Sequence, residues 1–220
     1  MIVAIDGPAG SGKGTVTREI AKRMGLVNLD TGATYRCVAL ECLNRGLSLD
    51  EPDKIVDMID DLDIEFKYVD DSILVFLNGK NVTSEIRSNR VNDLVSFVSS
   101  IVPVRLKLVD LQRKMAYGKD VIMEGRDIGT YVFPNADVKI YLDADVEERA
   151  KRRFEENCQK GIETNYEEVL ENIKIRDKND KNKEIGSLII ADDAVIVDTT
   201  NLNITQMTDE VERIIRDKWK

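Results

Sequence analysis

The run Asp6-Gly7-Pro8-Ala9-Gly10-Ser11-Gly12-Lys13-Gly14-Thr15 combines glycines, a lysine and hydroxyls at the spacing that grips phosphate. Gly7, Gly10 and Gly12 permit a tight turn and bring backbone N–H groups close to phosphate oxygens. Pro8, Ala9 and Ser11 fill the loop between them. A helix starting near Lys13 aims its positive end into the same space. Lys13 adds a full charge for β- and γ-phosphates, and the Thr15 hydroxyl is placed to ligate magnesium, directly or through water. The apolar run Ile2–Ile5 precedes the loop, and Val16, Ile20 and Met24 follow at helical spacing. Strand, loop and helix are therefore all present, and the segment reads as a nucleoside triphosphate site rather than a Gly/Ser turn.

Phosphoryl transfer asks for positioning and positive charge more than for covalent chemistry. Four further segments carry charged residues beside turns or helix ends. In Leu29–Arg36, Asp30 or Thr31 suits an N-cap and Arg36 offers a fork of donors, although alone this reads more simply as a capped helix with a surface arginine. In Val121–Thr130 an apolar strand runs into Glu124, Arg126 and Asp127 between glycines, where ligand residues of a parallel sheet belong. Arg149, Lys151, Arg152 and Arg153 cluster early in a helix, against its dipole, which suits either a phosphate partner or a basic solvated face. Arg176, Asp180 and Lys183 fall at i, i+4 and i+7, either a sugar-binding face or a solvated one.

The elements that must position these residues alternate. Core strands are expected at Ile2–Ile5, Val27–Leu29, Asp120–Met123, Val138–Leu142 and Ala194–Val197. Helices are expected over 13–24, 33–45, 104–117, 146–160, 166–178 and 205–218. This is the pattern of an α/β protein with a doubly wound parallel sheet and helices on both faces. Leu62–Tyr68 alternates, Val69-Asp70-Asp71-Ser72 reads as a turn, and Asn78-Gly79 after Ile73–Leu77 is a strong hairpin signal. A small antiparallel β insertion is expected there.

The 220 residues carry a net charge of −9, which argues against a nucleic-acid surface. Local arginines can still make a positive cleft for a small anion. There is no histidine, so imidazole acid–base chemistry and His-ligated metals are excluded. Cys37, Cys42 and Cys158 form no CxxC pair and fit reduced thiols in the cytoplasm. No leader is visible before Ile2 and no apolar run nears membrane-spanning length, so no membrane partner is expected.

The Gly-Lys-Gly-Thr form, with Thr15 one place later than common, resembles nucleoside monophosphate kinases. Asp6–Thr15, Asp30–Arg36, Gly125–Thr130 with Val132-Phe133-Pro134, and Arg176-Asp-x-x-Asp180 together resemble the bacterial cytidylate kinases nearly end to end. That resemblance implies a single kinase domain over 1–220. Its core would span 1–35, 104–148 and 185–220, its monophosphate-binding region with the β insertion about 36–103, and its lid about 149–184. It implies transfer of phosphate from ATP, with magnesium, to CMP and dCMP in pyrimidine nucleotide metabolism. Gly7 to Thr15 would hold the ATP phosphates. Arg36 and Arg126 would grip the phosphate of CMP. Ser96, Arg105 and Asp127 would read cytosine, with Thr31 nearby. Arg176 and Asp180 would hold the ribose, with Lys183 beside them. Arg149, Arg152 and Arg153 would lie on the lid and neutralise the moving phosphoryl group. A monomer in the cytoplasm is implied. Family members often carry arginine where this chain has Lys183 and Asn179, and aspartate at Glu124.

A kinase for UMP, AMP or shikimate is a competing reading, because the phosphate loop does not choose the acceptor. A GTPase-like switch lacks its usual Asn-Lys-x-Asp, since Asn182-Lys183-Glu184-Ile185 has no aspartate. A scaffold without turnover is opposed by the joint presence of Lys13, Arg36, Arg126, Asp127, Arg176 and Asp180.

Overall fold

The computed structural model describes residues 1–69 and 72–219. It divides into two compact units, Met1–Leu29 with Ala116–Lys220, and Asp30–Met115.

In the first unit a short apolar strand, β1 (Ile2–Asp6), runs into the glycine loop and then α1 (Lys13–Met24). Strand β2 (Val27–Asp30) follows. The other strands are β6 (Val121–Gly125), β7 (Val138–Asp143) and β8 (Val195–Asp198). Together they form a five-stranded parallel sheet in the order β2-β6-β1-β7-β8. β1 pairs in parallel with β6 and β7, placing Asp6 opposite Gly125 and Tyr141. Val3 and Ile5 of β1, with Val138, Ile140 and Leu142 of β7, pack with Val16 and Ile20 of α1. Val211, Ile214 and Ile215 of α8 (Ile204–Lys218) join the same core. The period of two in the strands and of 3.6 in the helices thus meet in one apolar layer. Two further helices, α6 (Val146–Gln159) and α7 (Tyr166–Lys181), share a small core of Ala150, Val169 and Ile173, closed by Phe154 edge-on to Tyr166 at 6.2 Å.

The second unit holds α2 (Thr31–Arg45), α3 (Pro52–Ile59), α4 (Asn89–Val98), α5 (Val102–Ala116) and a three-stranded antiparallel sheet. The sheet is β3 (Ile64–Val69), β4 (Ser72–Leu77) and β5 (Lys80–Asn81). Asn78 and Gly79 both take positive φ, 51° and 77°, and close the β4–β5 hairpin as its sequence requires. The turn read at Asp70-Asp71 lies outside the described residues. Helices α3 and α4 were not expected. Pro52 at the first turn, and the spacing of Val91, Leu94, Val95 and Val98, are the signals that carry them.

Candidate active site

The phosphate loop depends on its glycines in the backbone sense. Gly7 has φ 150°, and a Cβ there would lie 2.1 Å from the Leu142 carbonyl oxygen, so no larger residue fits. Gly12 forms the N-cap of α1 at φ 91°, turning the loop into the helix. The hydroxyl of Ser11 donates to the Pro8 carbonyl at 3.1 Å and stays buried. Lys13 curls back over the loop, its Nζ donating to the Pro8 carbonyl at 2.6 Å and to Ser11 Oγ at 3.2 Å. Burial, followed by the charge of Arg126, pushes its pKa well below the ordinary lysine value, while Glu124 and Asp6 oppose this. An arriving anion would relieve that repulsion.

Arg126 leaves the end of β6 and donates from Nε to Asp180 Oδ2 at 2.8 Å. Lys183 donates to the other oxygen of Asp180 at 2.7 Å. Burial works against the ionised Asp180, yet Arg126, Lys183 and Arg176 hold its carboxyl well below the usual carboxylate range. The three residues expected on one helical face are therefore gathered, although α7 stops at Lys181 and Lys183 reaches back from the following turn. Both carboxylate oxygens of Asp180 are engaged in this arrangement.

Asp127 is buried and starts a π-helical turn, Ile128–Val132, its carbonyl accepting from Tyr131 and Val132 N–H at 2.8 and 3.0 Å. Asp6, at the end of β1, holds this turn from the other side. Its two oxygens accept from the Ile128 N–H at 2.8 Å and the Gly129 N–H at 2.7 Å. Burial pushes the Asp6 carboxyl up to about 6, against those two donors and Lys13 and with Asp127 adding to it. Sequence reading did not assign Asp6 a role. Its place between strand end and loop was the available signal.

The arginines of α6 differ from one another. Arg149 is buried and fully engaged. It donates to the carbonyls of Ala144 at 2.9 Å and Ala9 at 3.0 Å, and pairs with Asp177 at 2.7 Å. It thereby ties the phosphate loop to α7. Arg152 is held by Glu148 and by the Thr199 carbonyl, and Thr199 in turn donates to the Ser11 carbonyl at 3.3 Å. Arg153 pairs with Glu156 of its own helix, at 2.9 Å, and its side chain is 41% exposed. Asp177 and Thr199 are partners that no local spacing announces.

In the second unit Asp30 caps α2, accepting from the Ala33 N–H at 3.1 Å. Arg36 lies one turn further, 3.6 Å from Asp30 Oδ1. Thr31 is buried in the first turn, and its carbonyl accepts from Thr34 Oγ1. Arg105 of α5 is 2% exposed, lies 5.5 Å from the centre of the Tyr35 ring and donates to the Ser99 carbonyl at 3.3 Å. Ser96 stands on α4 one turn before Ser99, whose hydroxyl donates to the Ser96 carbonyl at 3.0 Å. Tyr35, Ser99 and Arg105 thus meet, with Ser96 adjoining and Thr31 and Arg36 on the same helix as Tyr35.

The family description "Cytidylate kinase" matches residues 3–217. The chain belongs to the cytidylate kinase family. It is 48% identical to a cytidylate kinase of Caldicellulosiruptor saccharolyticus over 209 residues, covering 95% of this chain and 92% of that one. It is 41% identical to a cytidylate kinase of Bacillus subtilis over 216 residues, covering 98% and 96%. Among solved structures, a protein of Eubacterium ventriosum described as uncharacterized aligns with TM-score 0.52 at 12% identity, over 98% of each chain, a likeness of fold alone. The parallel sheet with its small antiparallel companion and the kinase assignment agree with the reading of the sequence.

Cytidylate kinases use a phosphorylated donor, and such transfer generally involves a divalent metal. The donor set here is hard oxygen, as magnesium prefers. Thr15 is half-buried in the first turn of α1, and a Cβ on the adjacent Gly14 would lie 3.0 Å from Glu124 Oε1. Among the described residues no group of three or more carboxylate, thiol or imidazole side chains gathers. One hydroxyl and one carboxylate beside a phosphate cradle fit an ion held mainly by phosphates and water.

Proposed function

We propose that the chain transfers the γ-phosphoryl group of ATP to CMP and dCMP, giving ADP and CDP or dCDP. A phosphate oxygen of CMP attacks the γ-phosphorus, the bond to the β–γ bridging oxygen breaks, and ADP leaves. The observation that carries this reading is the phosphate loop with Lys13 buried beside Arg126, in a chain matching the cytidylate kinase family over nearly its full length.

Gly7 to Thr15 hold the ATP phosphates through backbone N–H groups, Lys13 and the α1 N-terminus. Thr15, with Glu124 beside it, would hold a magnesium ion, which would supply neutralisation of phosphate charge. Arg126 and Arg36 are read, from the family resemblance, as ligands of the phosphate of CMP. Asp127, Ser96 and Arg105 serve cytosine, with Thr31 nearby. Arg176 serves the ribose, and Asp180 with Lys183 keeps Arg126 oriented while contributing to the same sugar site. Residues 149–184 act as a lid that excludes water from the transfer. Within it Arg153, the most open of the three, neutralises the moving phosphoryl group, and Arg149 braces the phosphate loop. The acceptor is already a phosphate oxygen, so a strong general base is not required, in keeping with a chain that has no histidine. The protein works as a monomer in the cytoplasm and uses neither nucleic acid nor membrane. Its described helices include none long and apolar enough to cross one.

A coupled ADP-release assay with ATP and magnesium, offering CMP, dCMP, UMP, AMP and GMP in turn, tests this. Strong release with CMP and dCMP, weak with UMP and absent with purines is expected. Release led by AMP, or by none of the five, would reassign the acceptor.

A further inference from the structure

Gly32 sits in the first turn of α2 and differs from the loop glycines. It is absent from the positive-φ residues of the chain, so its backbone does not call for glycine. Glycine is a poor helix former, and alanine would hold this turn better. What requires the missing side chain is a neighbour. A Cβ at Gly32 would lie 2.6 Å from Arg36 Nη1, 3.5 Å from Arg36 Cζ and 3.1 Å from Asp30 Oδ1. The first of these is closer than real Cβ contacts allow, so the guanidinium, at the flexible end of its side chain, would have to shift from this position.

The direction is the one helix geometry favours. Helical side chains lean toward the N-terminus, and residues four apart share a face. Arg36 therefore folds back over residue 32. There its charge opposes the helix dipole, and Asp30 Oδ1 compensates at 3.6 Å while accepting from the Ala33 N–H. The guanidinium is thus held over the first turn of α2, beside the Asp30 carboxylate.

We propose that Gly32 is a positioning residue for Arg36, keeping open the space in which the guanidinium lies over the α2 N-terminus to receive the acceptor's phosphate. This rests on the reading of Arg36 as a ligand of the CMP phosphate. A methyl group at residue 32 displaces the fork without touching the phosphate loop or the core.

The test is a double-mutant cycle of Gly32→Ala and Arg36→Ala, read by steady-state kinetics with CMP and ATP and by thermal melting. Arg36→Ala is expected to lower kcat/KM for CMP roughly a hundredfold, the scale of a lost charge-assisted contact. Gly32→Ala is expected to lower it about tenfold, to leave the KM for ATP unchanged, and to keep or raise Tm by about 2 °C because alanine favours the helix. In the Arg36→Ala background the same change should have no further kinetic effect. Wild-type CMP kinetics in Gly32→Ala would overturn the proposal, as would equal losses in both backgrounds. A loss of CMP use accompanied by a fall in Tm of several degrees would also overturn it, placing the glycine in folding instead. An Arg36→Ala variant with undiminished CMP use would instead overturn the ligand role of Arg36, a separate failure.

Discussion

In the phosphate loop of the first unit the backbone makes the site. Gly7 and Gly12 adopt angles that other residues resist, and Gly12 turns the loop directly into α1. In the second unit the proposed acceptor site would instead rest on side chains from separate helices, Tyr35 and Arg36 of α2 and Arg105 of α5, with Arg105 anchored on the carbonyl of Ser99 just after α4. A backbone site is specified by a short contiguous run, because each glycine acts on its own φ. A side-chain site is specified by packing, because each member depends on a helix elsewhere in the chain. The first kind is least tolerant at Gly7 and, on the proposed reading, responds to phosphates alone. The second can be retuned residue by residue, which on the same reading suits it to selecting the acceptor.

That contrast sets the order of expected effects. Gly7→Ala should be the most damaging change, since its Cβ would collide with the Leu142 carbonyl at 2.1 Å. A loss of stability of at least about 2 kcal/mol together with loss of ATP binding is expected, read by denaturant unfolding and nucleotide titration. Near-normal stability would mean that the loop is more adaptable than its geometry states. Lys13→Met should lower kcat on the order of 10³-fold with the fold intact, because it removes a charge aimed at the transferring group but leaves the loop's backbone. Asp127→Ala should sharpen the contrast from the acceptor side. A fall of roughly a hundredfold in kcat/KM for CMP is expected, with little change in ATP affinity. Equal loss with every nucleoside monophosphate would remove Asp127 from base recognition.

The smallest effects are in pH dependence, and their signs differ. Asp180 is held below its ordinary value, so its contribution to stability is present above about pH 4 and is lost as pH falls further. Asp6 is raised from 3.8 to about 6, so the folded state binds the extra proton and stability declines as pH rises through that interval. Unfolding measured between pH 4 and 7 should show that decline in the wild type and a flatter profile in Asp6→Asn. Identical slopes in the two proteins would show that Asp6 titrates normally.

How much was legible in the sequence follows the same division. The five parallel strands are apolar runs set beside glycine or charged turns, and their expected bounds differ from the observed ones by at most two residues at either end. Six helices were read from apolar spacing, α2 starting two residues earlier than expected and α7 ending three later. Helices α3 and α4 are carried only by Pro52 and the Val91–Val98 spacing, a weak signal because they are 8 and 10 residues long and offer few apolar positions to mark the period. The phosphate loop was legible because its chemistry is written in adjacent residues. The engagement of Arg149 with Ala9 and Asp177, and of Arg152 with Thr199, was not, since those partners lie up to 140 positions away. The same limit applies to Asp6, which meets Ile128 and Gly129 only through the register of β1 with β6.

The most direct test follows the phosphoryl group itself. ATP radiolabelled in its γ-phosphate is incubated with the protein, magnesium and CMP, and the products are separated. The account predicts the label in CDP, in amounts matching the ADP formed. Label released as inorganic phosphate, with CMP left unchanged, would contradict it.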